Sequence, residues 1–233
     1  WCPGCAIGTV FKQLTFTLDE LNVKNEELVV VSGIGCSGRA AGYFNVDSVH
    51  GIHGRALPIA EGIKRSNKKL KVIVFSGDGD LIGIGGNHLL HSSRRDIDLT
   101  VICINNEIYG MTGGQMSPET KVGVKTLTSP SGNPYSPTNV QGVITSNKHH
   151  FYARSSVFQI KHLKKCMKEA INHKGFAFVD VISHCIENNG RRLGFKSATE
   201  MLNQIKKDYK LSSDENKLKN NELGIMKNEY KKD

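Results

Sequence analysis

Two short strings carry the first chemistry visible in this chain. Gly77-Asp78-Gly79-Asp80 follows the apolar run Lys71-Val72-Ile73-Val74-Phe75-Ser76. Asn105-Asn106 ends the run Leu99-Thr100-Val101-Ile102-Cys103-Ile104, and 25 residues separate Gly79 from Asn105. Both runs read as buried strands, and open α/β sheets bind ligands beyond such strand ends. An acid, an amide and glycines there suit a divalent cation holding a diphosphate. Mg2+ takes hard oxygen ligands in an octahedron, with few from protein and the rest from phosphate and water. Asp78 offers a carboxylate, Asn106 an amide oxygen and Ile108 a backbone carbonyl. Gly77 and Gly79 let the chain turn close to a ligand. Gly110-Met111-Thr112 adds N–H donors. Either string alone would be an ordinary turn or strand end; the pair at this spacing favours a metal–diphosphate site.

The second chemistry is sulfur. Cysteines stand at 2, 5, 36, 103, 166 and 185. No basic start followed by an apolar segment marks a secretory signal, so metal binding or catalysis is favoured over disulfides. Cys2 and Cys5 sit in a glycine-containing Cys-x-x-Cys loop. Cys36 follows a strand in Ser32-Gly33-Ile34-Gly35-Cys36-Ser37-Gly38, and Cys185 ends the strand run Phe176–Ile182. Cys103 lies mid-strand and Cys166 within a helix, so both read as packing. The four accessible thiols fit tetrahedral zinc or an iron–sulfur cluster, and spacing leaves both open.

These residues need a scaffold, and the order of periodic segments supplies one. Helices are expected over 6–21, 56–66, 84–93 and 157–173, with a short one over 138–145. Strands are expected over 28–31, 71–76, 99–104, 151–154 and 176–182. Strand–helix–strand order with short connections predicts an α/β fold with an open, mainly parallel sheet flanked by helices. Residues 119–137, with Pro130, Pro134 and Pro137, read as a long loop, which in a compact domain is functional or mobile. Residues 1–199 form the expected functional domain. Residues 200–233 are expected to be a basic tail, a helix followed by disorder.

At 233 residues the chain can bury one substantial core. It opens on Trp1 rather than Met, so a trimmed chain or a fragment is expected. No apolar run reaches the length of a membrane span, and a cytoplasmic location is expected. The net charge of +9 fits a solvated surface or a dock for an acidic partner. Nucleic acid is disfavoured, because the basic runs lack interleaved aromatics.

The strings together are more specific than their parts. Gly-Asp-Gly followed by Asn-Asn resembles the thiamine diphosphate fingerprint. The longer stretch GDGDLIGIGGNHLLHSSRRDIDLTVICINNEIYGMTGGQMSPET resembles the β subunit of the 2-oxoacid:ferredoxin oxidoreductases. So do WCPGC, SGIGCSGRAAGY, HGRALPIAEGIK and HKGFAFVDVISHC, in order from residue 1 to about 195.

That resemblance implies the thiamine diphosphate-binding fold of the diphosphate type, with thiamine diphosphate held through Mg2+ by Asp78, Asn106 and Ile108. It implies cofactor contacts from Ile34, Gly35, Cys36, Ser37, Gly77, Gly79, Asp80, Gly110, Met111 and Thr112. It implies a [4Fe–4S] cluster on Cys2, Cys5, Cys36 and Cys185, and an active-site loop presenting His53 and Arg55 to a substrate carboxylate. Lys64 ends one of the matching strings and reads as a surface lysine or a cofactor contact. The implied reaction is oxidative decarboxylation of a 2-oxoacid. The acyl group passes to coenzyme A, and electrons leave singly through the cluster to ferredoxin. The glutamate that activates the cofactor belongs to a second α/β unit, so an α subunit is the expected partner. Gly-Met-Thr-Gly-Gly-Gln-Met-Ser-Pro resembles the 2-oxoglutarate branch more than the pyruvate branch. One departure stands out: Ala6-Ile7 replaces the Gly-His that usually follows the second cysteine. The competing readings are a pyruvate-specific β subunit, a fragment of a non-redox thiamine diphosphate decarboxylase, and a zinc-stabilised module meeting nucleic acid.

Overall fold

The computed structural model describes residues 1–214 and 217–228. Its strands are β1 (Leu28–Ser32), β2 (Asp47–His50), β3 (Lys71–Gly77), β4 (Leu99–Asn105), β5 (Ile108–Tyr109), β6 (Gln115–Met116), β7 (His150–Ser156), β8 (Phe176–Ile182), β9 (Lys210–Leu211) and β10 (Glu222–Asn228). Its helices are α1 (Ile7–Glu20), α2 (Ala56–Ser66), α3 (Gly86–Arg94), α4 (Val140–Thr145), α5 (Ile160–Asn172) and α6 (Ala198–Asp208). Eight strands form one sheet in the order β2-β1-β3-β4-β8-β7-β10-β9, while β5 and β6 form a small separate hairpin. Within the large sheet only β10 against β7 runs antiparallel.

Alternation along the strands divides the core into two layers. Ile73 and Phe75 of β3 pack with Ile102 and Ile104 of β4 against Val10 and Leu14 of α1 and Leu163 and Met167 of α5. Val72 and Val74 face the other way, with Val101, Leu57 and Ala60 of α2 and Leu89 of α3. Each such side chain, fully buried, contributes about 1.5–3 kcal/mol. Every residue of β4 and β8 is buried, which is why both runs read as continuously apolar rather than alternating. Cys103 and Cys166 belong to these layers and are wholly buried, as packing residues should be.

The consequence for function is geometric. β1, β3, β4 and β8 are neighbours and all run parallel. Their C-terminal ends therefore lie along one edge of the sheet, and those ends are Ser32, Gly77, Asn105 and Ile182. The glycine-rich Cys36 loop, the Gly-Asp-Gly-Asp turn, the Asn-Asn pair and Cys185 emerge side by side.

Three expectations change. The segment beyond α6, expected to be disordered, instead supplies β9 and β10 among the described residues; residues 215–216 and 229–233 lie outside them. Leu223 and Met226 of β10 are buried, and the Lys- and Asn-rich surroundings masked that short apolar pattern. β2 was not expected, because it is a polar edge strand of mostly exposed residues. The helix expected from Ile84 starts instead at Gly86, and Gly79–Ile84 before it is a π-helical turn. The 119–137 loop is tied down by Asn133, whose Nδ2 donates to Thr120 O at 2.6 Å and to Tyr135 O at 2.9 Å.

β10 is also locked electrostatically. Asp180 in β8, 2% exposed, accepts from Arg154 Nε at 3.1 Å and from Tyr152 Oη at 2.9 Å. Arg154 Nη1 continues to the carbonyls of Lys219 and Asn220. Arg154→Ala strands a buried carboxylate and frees the approach to β10. It should cost about 3–5 kcal/mol of stability, read as a lower urea midpoint.

Candidate functional site

At the sheet edge, one cavity is lined by Ile34, Gly35, Cys36, Ser37, His53, Gly77, Asp78, Gly79, Asp80, Asn106, Ile108, Tyr109, Gly110, Met111 and Thr112. All the expected metal and cofactor positions of this half are therefore brought together from three loops. Tyr109 is the addition. Its hydroxyl donates to Gly79 O at 2.9 Å, and its ring lies where a Cβ on Gly79 would sit, 2.3 Å from Cε1. Glycine at 79 is thus a requirement of close approach.

Asp78 is 1% exposed and accepts from Ser117 Oγ at 2.6 Å. Burial pushes its carboxyl up to about 7, as expected of a carboxylate taken out of water. Asn106 Oδ1 accepts from the Ile108 N–H at 3.3 Å, and Glu107 between them adopts φ +62°, which turns the chain sharply after β4. The donor set is one carboxylate, one amide oxygen and one backbone carbonyl. It is all hard oxygen and fits Mg2+. Ser117 was not singled out in the sequence, because only the fold of the loop brings it back under Asp78. Behind it, burial and the charges of Asp180 and Asp78 push the Glu119 carboxyl up to about 9.

A second cleft adjoins the first and shares Cys36, Asn106 and Met111 with it. Its wall carries Cys2, Cys5, Cys36 and Cys185, with Trp1, Ile7 and Tyr43. Cys36 Sγ and Cys185 Sγ both lie within 3.9 Å of the point a Gly110 Cβ would occupy. All four cysteines are free thiols, and every pair among them is close enough for its charges to interact. Burial, and then this mutual repulsion, raise the Cys36 thiol to about 11; Cys5 and Cys185 are also raised, burial again the largest cause. Among the described residues no three His, Cys, Asp or Glu side chains close on a single ion-sized point.

The two clefts are pinned to each other. Asn188 Nδ2, in the turn after Cys185, donates to Gly110 O at 2.6 Å. His184 Nε2 reaches Gly4 O at 2.9 Å and holds the Cys-x-x-Cys loop against the end of β8. Trp1 Nε1 donates to Cys36 O at 2.6 Å, and its ring packs edge-on to Tyr43.

One expected residue, Arg55, does not line this cavity, and neither does Lys64. Arg55 is exposed and outside the cavity; its Nη1 meets His88 Nε2 at 2.9 Å. The chain turns at Gly54, φ +71°, so His53 faces the cavity while Arg55, at the start of α2, turns to His88. Lys64, read as a surface lysine or a cofactor contact, is buried away from this cavity. It is 9% exposed, pairs with Asp98 Oδ2 at 2.7 Å and donates to Leu70 O at 2.7 Å.

Residues 33–181 match the family model described as thiamine pyrophosphate enzyme, C-terminal TPP binding domain. The chain is 43% identical over 208 residues to the 2-oxoglutarate synthase subunit KorB of Methanocaldococcus jannaschii, covering 89% of this chain and 77% of that one. It is 39% identical to the KorB subunit of Archaeoglobus fulgidus, covering 98% and 84% of the two chains. It belongs to the 2-oxoacid:ferredoxin oxidoreductase β subunits. The β subunit of that enzyme from Saccharolobus solfataricus is 44% identical over 187 residues, 79% of this chain and 61% of the relative. A solved structure, the 2-oxoglutarate:ferredoxin oxidoreductase of Magnetococcus marinus with 2-oxoglutarate, coenzyme A and succinyl-CoA bound, superposes with a TM-score of 0.88 at 26% identity. That match covers 99% of this chain and 82% of the other. The chain is therefore a subunit of an oxidoreductase, with the thiamine diphosphate-type α/β fold. Among the described residues no helix is long and apolar enough to cross a membrane.

Proposed function

We propose that this β subunit binds thiamine diphosphate through Mg2+ and a [4Fe–4S] cluster, and that with an α subunit it oxidatively decarboxylates 2-oxoglutarate to an acyl-CoA and CO2. The observation that carries this reading is the junction of the two clefts. A hard-oxygen site and a four-thiol site share Cys36, Asn106 and Met111 at one sheet edge. When bound, the diphosphate cofactor supplies the carbon nucleophile and electron sink, and the cluster takes electrons one at a time. This chain's own residues hold and orient. Asp78, Asn106 and Ile108 would hold the cation, the Gly110–Thr112 turn would offer its N–H groups to the diphosphate, and the four thiols of the adjoining cleft would hold the cluster. Four thiols spread round a cleft suit a cluster better than one tetrahedral zinc.

A partner is supported by the rim. Ile34, Ile52, Ile84 and Met111 are exposed around the cavity, Ile52 at 75%. Such apolar exposure beside an open half-site fits a subunit that covers it and brings the activating glutamate. Ferredoxin is the proposed electron acceptor. Free cysteines fit a reducing compartment, so the cytoplasm is the proposed location. Residues 1–199 hold every proposed ligand, and β9 and β10, among the described residues beyond them, extend the sheet.

The relatives named for 2-oxoglutarate, and the Gly-Met-Thr-Gly-Gly string whose first three residues line the cavity, favour that substrate over pyruvate. The test is anaerobic co-expression with the α subunit, followed by viologen reduction with each 2-oxoacid plus coenzyme A. The complex should turn over 2-oxoglutarate with a kcat/KM roughly tenfold or more above pyruvate, and the β chain alone should be inactive. Full turnover by the β chain alone would overturn the division of labour, and a pyruvate preference would overturn the substrate.

A further inference from the structure

Asp80 lines the cofactor cavity, yet its carboxylate is spoken for. It is 2% exposed. Oδ1 accepts from the Ile34 N–H at 3.1 Å and the Gly54 N–H at 2.7 Å, and lies 2.5 Å from His53 Nδ1. Oδ2 accepts from Ser76 Oγ at 2.8 Å. The fit leaves no slack, since a Cβ on Gly33 would stand 1.9 Å from Oδ2. A buried carboxylate surrounded by four donors accepts and does not donate, so Nδ1 of His53 carries a proton. Nε2 is then the ring nitrogen left for the cavity that the imidazole lines.

We propose that Asp80 is a positioning residue: it fixes the tautomer and direction of His53 so that Nε2 meets an oxygen of the 2-oxoacid substrate, rather than itself touching the cofactor. Nδ1 donates to Asp80 whether His53 is neutral or protonated. Nε2 therefore keeps its aim in both states, as an acceptor in one and a donor in the other. The Tyr109 ring, 6.0 Å from that of His53 and at 70° to it, limits rotation from the other side. Arg55 points away, so His53 is the group of its loop that faces the cavity.

This assignment rests on reading the cavity as a thiamine diphosphate site, and its test separates the two. Four αβ complexes are compared: wild type, Asp80→Asn, His53→Gln and the double variant. Asparagine at 80 keeps the shape and an acceptor for the Ile34 and Gly54 N–H groups, while the Ser76 hydroxyl can turn to accept from the new amide; what it removes is the charge that holds the Nδ1 proton of His53. Asp80→Asn and His53→Gln should each lower kcat/KM by roughly 10–100-fold, the usual cost of losing a partner that orients a histidine. The double variant should be no worse than His53→Gln, within about twofold, because residues acting as one unit are not additive. Thiamine diphosphate affinity, measured by calorimetry, should stay within about threefold in all four. Multiplying losses, a drop in cofactor affinity in Asp80→Asn, or failure of that variant to fold would overturn the positioning role in favour of a plain strut. A wild-type complex that binds no thiamine diphosphate would instead overturn the reading of the cavity.

Discussion

Asp78→Ala should abolish Mg2+-dependent binding of thiamine diphosphate while leaving the iron content unchanged. The carboxylate is the one formal charge among the three proposed oxygen ligands, and it is buried to 1% exposure. Without it, the cation would rest on an amide and a carbonyl, too little charge to hold it against water or to anchor a diphosphate. Even outer partners of a metal site cost 10–100-fold when removed, so loss of a direct ligand should weaken cofactor affinity by roughly 100-fold or more. Folding should survive. Burial already pushes this carboxyl up to about 7, so it is held at a cost when charged, and alanine removes that cost. The measurement is calorimetric titration with thiamine diphosphate at saturating Mg2+, beside iron analysis of the same sample. Cofactor affinity retained in Asp78→Ala would overturn the metal assignment.

The sequence made Asp78 legible for a physical reason. Buried parallel strands read as unbroken apolar runs, so the polar residues just beyond β3 and β4 stand out against them. The parallel order then places both strand ends on one edge. What lay outside the pattern depended on contacts between distant segments. Ser117 meets Asp78 across 39 residues, and Asn188 meets Gly110 across 78. The direction of Arg55 hangs on a positive φ at Gly54. β10 was hidden because Leu223 and Met226 are two buried residues within a stretch of Lys and Asn, and β2 because an exposed edge strand carries no apolar signal. The role of Asp80 was hidden differently. Its place in Gly-Asp-Gly-Asp marks it for the ligand, and only the four donors around it show that its charge serves the protein.

Cys185→Ser gives the second large effect, opposite in kind. Serine keeps the size of the side chain but is a poor ligand for iron, and a four-iron cluster needs four thiolates. Cys185 is the better choice than Cys36, because Cys36 lines both clefts whereas Cys185 lines the sulfur cleft. In the αβ complex, iron should fall from about four atoms per β chain towards zero, and viologen reduction should fall with it. Thiamine diphosphate affinity should stay within about threefold of wild type, since the oxygen ligands and the Gly110 turn are untouched. Cys166→Ala is the matched control: that thiol is wholly buried between α5 and the sheet, so its loss should lower stability and leave iron alone. The pair of large effects tests the arrangement more strictly than either does singly. Asp78→Ala should lose cofactor and keep iron, and Cys185→Ser should lose iron and keep cofactor. Electron transfer across the shared wall requires the two sites to adjoin, and independent losses would show that each group has its own site there. If one mole of zinc replaced the iron, or if both variants lost both groups, the four thiols would be a structural clasp and the redox reading would fall while the diphosphate site stood.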